Sequence, residues 1–174
     1  TYRLAGKYEE AADLFYESAL IYSTTIGKDN SYYCSILNNL ALVYQDMKEY
    51  DKAEEMLTDA LKSSRTLENS AMDVAITYSN LGALYLEMGD YERAEEDLRE
   101  SVDIYEQLDT NHQVHLASVY NSLGILYYKQ GKLEEAKAAY QQALELTLYH
   151  YGKNHEYEIL CRNIAAIEEA VRNA

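Results

Sequence analysis

Proline and tryptophan are both absent from the 174 residues, and glycine occurs only 7 times. The tight turns of a β-sandwich or barrel therefore have few candidates, and long helices joined by short polar links are expected. Positive charge is also scarce, with 15 Lys and Arg against 30 Asp and Glu, a net of −15. Such a chain lacks the basic face that nucleic acid or an anionic membrane surface demands. No apolar run approaches the roughly 18 residues that span a bilayer, and no signal peptide opens the chain. Cys34 and Cys161 are too few for a disulfide framework and read as reduced thiols in a cytoplasmic protein.

What the chain has is tyrosine, 19 residues against a single Phe, within a hydrophobic content of 48% that is ample for a core. It also repeats itself. Ala12, Ala53, Ala94 and Ala136 recur at intervals of 41, 41 and 42, and Leu20, Leu61, Val102 and Leu144 follow the same intervals. Leu40, Leu81, Leu123 and Ile164 recur at 41, 42 and 41, with Tyr44, Tyr85 and Tyr127 four residues after the first three. Tyrosine fills whole columns (Tyr2, Tyr44, Tyr85, Tyr127; Tyr8, Tyr50, Tyr91), so its excess is mostly packing.

Each period holds two helical patterns. Val74, Tyr78, Leu81, Gly82 and Tyr85 share one face at spacings of three and four, and Ala94, Leu98, Val102 and Tyr105 make the next stripe. Gly89-Asp90 and Gly131-Lys132 supply glycine stops between the two, and Lys48-Glu49 does the same without glycine. Helices are expected near 7–26, 31–47, 50–66, 70–88, 91–108, 112–130, 133–150 and 155–172, after a fragment at 1–5. The unit is a helical hairpin that cannot bury its stripes alone, so stacked neighbours must complete the core. Residues 1–174 read as a single array of about four repeats that begins and ends inside a repeat.

Leu81-Gly82, Tyr85, Gly89, Tyr91 and Ala94 resemble the tetratricopeptide-repeat signature, as do Leu40-Ala41, Tyr44, Tyr50, Ala53 and Ala60, and Leu123-Gly124, Tyr127, Gly131, Ala136, Tyr140 and Ala143. The period of 41 or 42 exceeds the usual length of about 34 by roughly one turn per helix. That variant is similar to the repeats of kinesin light chains, as are the stretch Leu37–Tyr44 and the loops Gly27–Asn30 and Gly152–His155. The resemblance implies an all-α fold, a right-handed α-α superhelix of stacked antiparallel hairpins.

The resemblance also implies a concave groove, lined by the first helix of each hairpin, that holds an extended peptide. Its positions would be Asn38, Leu42, Gln45 and Asp46; then Ser79, Ala83, Leu86 and Glu87; then Asn121, Ile125, Tyr128 and Lys129; and last Arg162, Ala166 and Glu169. Asn39, Asn80 and Asn163 share a further column, interrupted by Ser122. An asparagine amide donates and accepts at once, so such a ladder would pair with a peptide backbone; alternatively it would tie each helix to its neighbour. Only Arg162 is basic where a clamp for acidic chaperone tails needs cations, so acidic ligands are disfavoured.

Between Thr66 and Tyr128 stand 12 acids against Arg93 and Arg99. Seven of them, Glu92, Glu95, Glu96, Asp97, Glu100, Asp103 and Glu106, sit on one second helix, where a solvated outer face is expected and a dock for a basic partner is the alternative.

Residues suited to catalysis or metal binding are sparse and scattered. His112 and His115 lie three apart, but no third ligand accompanies them, so no metal site is assigned. Cys161 shares a core column with Leu37, Tyr78 and Tyr120 and is expected to be buried; Cys34 has no basic neighbour in sequence to lower its pKa. No phosphate loop, dinucleotide fingerprint or serine elbow occurs. The sequence thus predicts a non-catalytic interaction scaffold without cofactors, binding a protein or peptide more apolar or basic than acidic. A peptide-sensing module of a bacterial regulator, or an array that self-associates through its ends, is the alternative.

Overall fold

The computed structural model describes residues 6–108 and 115–173. It places helices α1 (Tyr8–Thr25), α2 (Ser31–Asp46), α3 (Tyr50–Ser64), α4 (Ala71–Met88), α5 (Tyr91–Gln107), α6 (Leu116–Lys129), α7 (Leu133–Tyr151) and α8 (His155–Asn173). The fragment at 1–5, Tyr2 and His112 lie outside the described residues. Helices α3 and α5 begin where the pattern put them, at Tyr50 and Tyr91.

The starts and stops follow from local chemistry. Asn30 caps α2 by accepting from the Tyr33 amide at 2.8 Å, and Asn154 caps α8 by accepting from the Tyr157 amide at 2.9 Å. Helix α4 ends on Gly89 at φ +82°, which lets the Asp90 amide reach back to the Tyr85 carbonyl at 2.9 Å. Lys48 performs the same reversal after α2 at φ +61°, with the Glu49 amide on the Tyr44 carbonyl at 2.9 Å. A lysine there carries the left-handed strain that glycine avoids.

Within each hairpin, α2 packs on α3, α4 on α5 and α6 on α7, and each second helix packs on the first helix of the next repeat. The closeness of the pairing is set by one small residue. A Cβ on Gly82 would stand 2.5 Å from Leu98 Cγ, and one on Gly124 would stand 2.5 Å from the Tyr140 ring. Ala41, buried to 1% exposure, occupies the same column. The main core runs continuously from Ala41 to Ile167, with Leu57, Leu84, Leu98, Leu126 and Leu160 fully buried along it. This is the all-α solenoid of stacked hairpins that the periodicity predicts, with no strand among the described residues.

First helices also pack on one another, α2 on α4 and α4 on α6. Second helices make no comparable packing among the described residues. The first helices therefore line the inner face of the array and the second helices its outer face.

The outer face is stapled by a repeated tyrosine device. The Tyr85 hydroxyl donates to Glu54 Oε1 at 2.8 Å, and the Arg93 guanidinium lies 4.0 Å from the Tyr85 ring centroid while pairing with Glu54 at 2.9 Å. Burial, and then the bond to Glu54, push the Tyr85 phenol up to about 12. One repeat later Tyr127 donates to Glu95 at 3.2 Å under the Lys132 ammonium, which pairs with Glu95 at 3.4 Å.

Candidate functional site on the inner face

The inner face is built from α2, α4, α6 and α8, and its most prominent feature is a polar ladder between neighbouring repeats. Asn80 Nδ2 donates to Asn38 Oδ1 at 2.7 Å, Gln45 Nε2 to Glu87 Oε2 at 2.6 Å, and Ser31 Oγ to Asp73 Oδ2 at 2.6 Å. Each of these bonds joins residues 42 apart. Asn38 also donates to Thr77 Oγ1 at 2.9 Å and to the Cys34 carbonyl at 3.0 Å.

Several expected groove positions are consequently not on the open surface. Asn38 is 6% exposed, because Thr77 stands opposite it and the pair closes over its amide. Leu86 joins the main core, so its side chain faces inward from the groove. Asn39 is exposed, but its Nδ2 donates to the Ser35 carbonyl of its own helix at 2.8 Å. Leu42, Gln45, Ser79, Asn80, Ala83, Asn121, Ile125 and Asn163 are half-buried, while Asp46, Glu87, Tyr128, Lys129, Arg162, Ala166 and Glu169 are exposed. Tyr128, at 53%, is a large hydrophobic side chain that this face offers to solvent. Asn121 Nδ2 donates to Glu156 Oε1 at 3.3 Å, and its buried Oδ1 has no hydrogen-bond partner.

Reading columns of equal spacing missed Thr77, Asp73 and Glu156. Thr77 lies 39 residues from Asn38, one turn off the repeat interval. Asp73 and Glu156 start their helices, where acids are common for dipole reasons alone, so nothing in the sequence marks them as groove residues.

Charge is partitioned between the two faces. On the inner face Asp73, Glu87 and Glu156 accept, among the described residues, from neutral donors, namely Ser31, Gln45 with Tyr50, and Asn121. Outer-face carboxylates take the cations instead: Glu54 and Asp90 pair with Arg93, Glu95 with Arg99 and Lys132, and Glu168 with Lys137. On α5, Glu92, Glu96, Glu100, Asp103 and Glu106 are exposed, as a solvated face requires, whereas Asp97 is half-buried. Loss of solvent, then the neighbouring Glu96, raises the Asp97 carboxyl to about 6.

The expected burial of Cys161 is not found. Cys34 is fully buried, and burial pushes its thiol up. Cys161 is only half-buried, because α8 packs chiefly on α7 and the other side of its column stays open. His115 is exposed and stacks on Tyr105. No cluster of three metal-ligating side chains occurs among the described residues, and no described helix is long and apolar enough to cross a membrane.

Comparison with known proteins places this geometry. The tetratricopeptide-repeat family model matches residues 1–66 and 73–148. Among solved structures, BtubC (BKLC) from P. vanneervenii superposes with a TM-score of 0.82 at 26% identity, over 98% of this chain and 68% of that one. A kinesin-light-chain candidate from Podosopora anserina with nearly identical TPR-like repeats superposes at 0.77 and 20% identity, over 99% of this chain and 82% of that one. The first TPR of Spaghetti (RPAP3), described in complex with the HSP90 peptide SRMEEVD, superposes at 0.63 and 20% identity, over 82% of this chain and 96% of that one. A search of curated proteins gives no match.

Proposed function

This chain belongs to the tetratricopeptide-repeat family, and on that premise we propose that it is a non-catalytic scaffold whose inner face takes a basic, partly apolar segment of another protein. Repeats of this kind present extended concave surfaces to partners. The observation that carries the reading is the set of inner-face carboxylates, Asp73, Glu87 and Glu156, held by neutral donors and in no ion pair among the described residues. A Lys or Arg from a partner would gain charge-assisted bonds there without breaking an existing ion pair. Leu42, Ala83, Ile125 and Tyr128 would supply the apolar contact. An acidic segment of the SRMEEVD kind would meet like charge on this face.

The geometry shifts the binding mode away from an asparagine ladder gripping a peptide backbone. Asn38 and Asn80 already hold each other, so a ligand would have to break that bond to use them. Side-chain charge, rather than backbone pairing, is the selective element.

The test is a pair of fluorescent 12-residue peptides, one of alternating Lys and Leu, one of alternating Glu and Leu. The basic peptide is expected to bind, and the triple variant D73N/E87Q/E156Q to weaken it about tenfold with an unchanged melting curve. Equal binding of both peptides, or no effect of the triple variant, would refute the proposal.

One observation favours a second reading. On α1, Tyr16 and Leu20 are 60% and 55% exposed, although Leu57, Leu98 and Tyr140 in the column of Tyr16, and Val102 in that of Leu20, are buried. Another copy of the chain would cover this face in a self-associating array, and light scattering over a concentration series would show its mass rising.

A further inference from the structure

The outer face carries a second feature that the inner-face reading does not use. Between successive second helices runs a furrow floored by the first helix, and one column closes it: Phe15, Met56, Asp97 and Ala139, at intervals of 41, 41 and 42. Over α2 the closure is apolar. Met56 packs at once against the cluster of Leu40 and Val43 and against that of Leu37 and Ala60. Over α4 the position holds Asp97, within the field of Arg93 and Arg65. Over α6 it holds Ala139, and alanine is too short to fill the space.

What remains is a cavity of about 450 Å3 between α5 and α7. Tyr120, Leu123 and Tyr127 form its floor and Val102 one wall. These are the column counterparts of Leu37, Leu40, Tyr44 and Leu20, so the position that Met56 fills over α2 is left open over α6.

The rim adds charge selectivity. Asp103 and Glu135 line the mouth, are exposed, and make no hydrogen bond or ion pair among the described residues. Arg99 also lines it, but its Nη2 is bound to Glu95 Oε1 at 3.0 Å and donates to the Tyr127 hydroxyl at 2.9 Å. The mouth is therefore acidic above an apolar floor.

We propose that this cavity is a second binding site, on the face opposite the first. It accepts an apolar side chain of methionine size or larger from a partner protein, carried beside a Lys or Arg that pairs with Asp103 or Glu135. The floor removes the apolar group from water, and the rim favours the cation over an anion at the same distance. The site stands whether or not the inner face binds a peptide.

Phenethylammonium is the minimal probe, with 2-phenylethanol and 3-phenylpropionate as its neutral and anionic counterparts. In amide-resolved NMR titrations of the whole chain, phenethylammonium is expected to shift Leu123, Ala139 and Gln142 saturably, and to bind about fivefold tighter than the carboxylate. Ala139→Met should weaken it about tenfold by filling the space, in a column that already tolerates methionine at Met56. The pair D103N/E135Q leaves the floor intact and should abolish the preference for the ammonium while retaining the alcohol. Absence of saturable shifts at these residues, undiminished binding by Ala139→Met, or equal affinity for the carboxylate would overturn the proposal.

Discussion

Asn80 Nδ2 donates to Asn38 Oδ1 at 2.7 Å, across two neighbouring first helices and 42 residues of chain. The same Asn38 amide holds Thr77 Oγ1 and the Cys34 carbonyl. One side chain thus satisfies three partners at a buried seam between repeats.

Removing it leaves those partners unmatched. Asn38→Ala is expected to cost about 1–3 kcal/mol, the range for stranding buried polar groups. Asn39→Ala, one residue away but exposed, should stay within about 0.5 kcal/mol. Urea melts of the two variants give the comparison, and a similar loss for both would contradict the buried-seam assignment.

Gly124 separates helix propensity from packing. Alanine would gain about 1 kcal/mol of intrinsic helix preference. Its Cβ, however, would stand 2.5 Å from the Tyr140 ring, and overpacking of this kind costs about 1–3 kcal/mol. Gly124→Ala is therefore expected to lower the thermal midpoint; a rise would show that the ring yields freely.

At Lys48 the balance is the reverse. The residue sits at φ +61° where its counterparts are Gly89 and Gly131, and it is exposed. Lys48→Gly should stabilise the chain by about 0.5–1 kcal/mol by relieving left-handed strain. Calorimetry that finds the variant less stable would remove the strain argument.

Asp97 gives the fold a pH dependence of definite sign. Its folded carboxyl titrates at about 6, above the ordinary 3.8, so between those values the folded state binds more protons than the unfolded one. Stability contributed by this group is complete below about 4 and is lost as pH rises through about 6. Asp97→Asn should flatten that segment of the midpoint-against-pH curve and stabilise the chain near pH 7. An unchanged slope would assign the dependence elsewhere.

The two thiols should separate cleanly. Cys34 is fully buried with its thiol raised, and Cys161 is half-buried. Under native conditions a thiol reagent is expected to label Cys161 first and Cys34 only after denaturant is added. Simultaneous labelling would mean that α2 opens on the same timescale as α8.

Much of this architecture was legible in the sequence because it is periodic. Columns of Ala, Leu and Tyr at 41 and 42 residues locate the hairpins, and of the small-residue column Ala41, Gly82, Gly124 and Ala165 the first three mark close crossings, whereas Ala165 is exposed on α8. The groove was less legible for a physical reason. A column fixes which face a residue occupies, but not whether a neighbour from the next repeat already occupies its hydrogen bonds. Asn38 meets Thr77 off the repeat interval, so equal-spacing alignment leaves its amide looking available. Cys161 shows the complementary limit: column membership implies burial only where the next element is there to cover the column. The outer cavity was invisible because it depends on one column changing from Met56 to Ala139, a contrast that matters only once three helices are seen to surround it.

The polar ladder is unevenly distributed along the array. Four side-chain hydrogen bonds cross from α2 to α4, whereas none joins α4 to α6 among the described residues. Directional cross-links between first helices are thus concentrated in the first joint of the array, while the second is spanned by the apolar packing of Leu81, Leu84, Leu123 and Leu126. A partner lying along the inner face would meet a surface whose polar groups are already paired beside Leu42 and less so beside Ile125 and Tyr128.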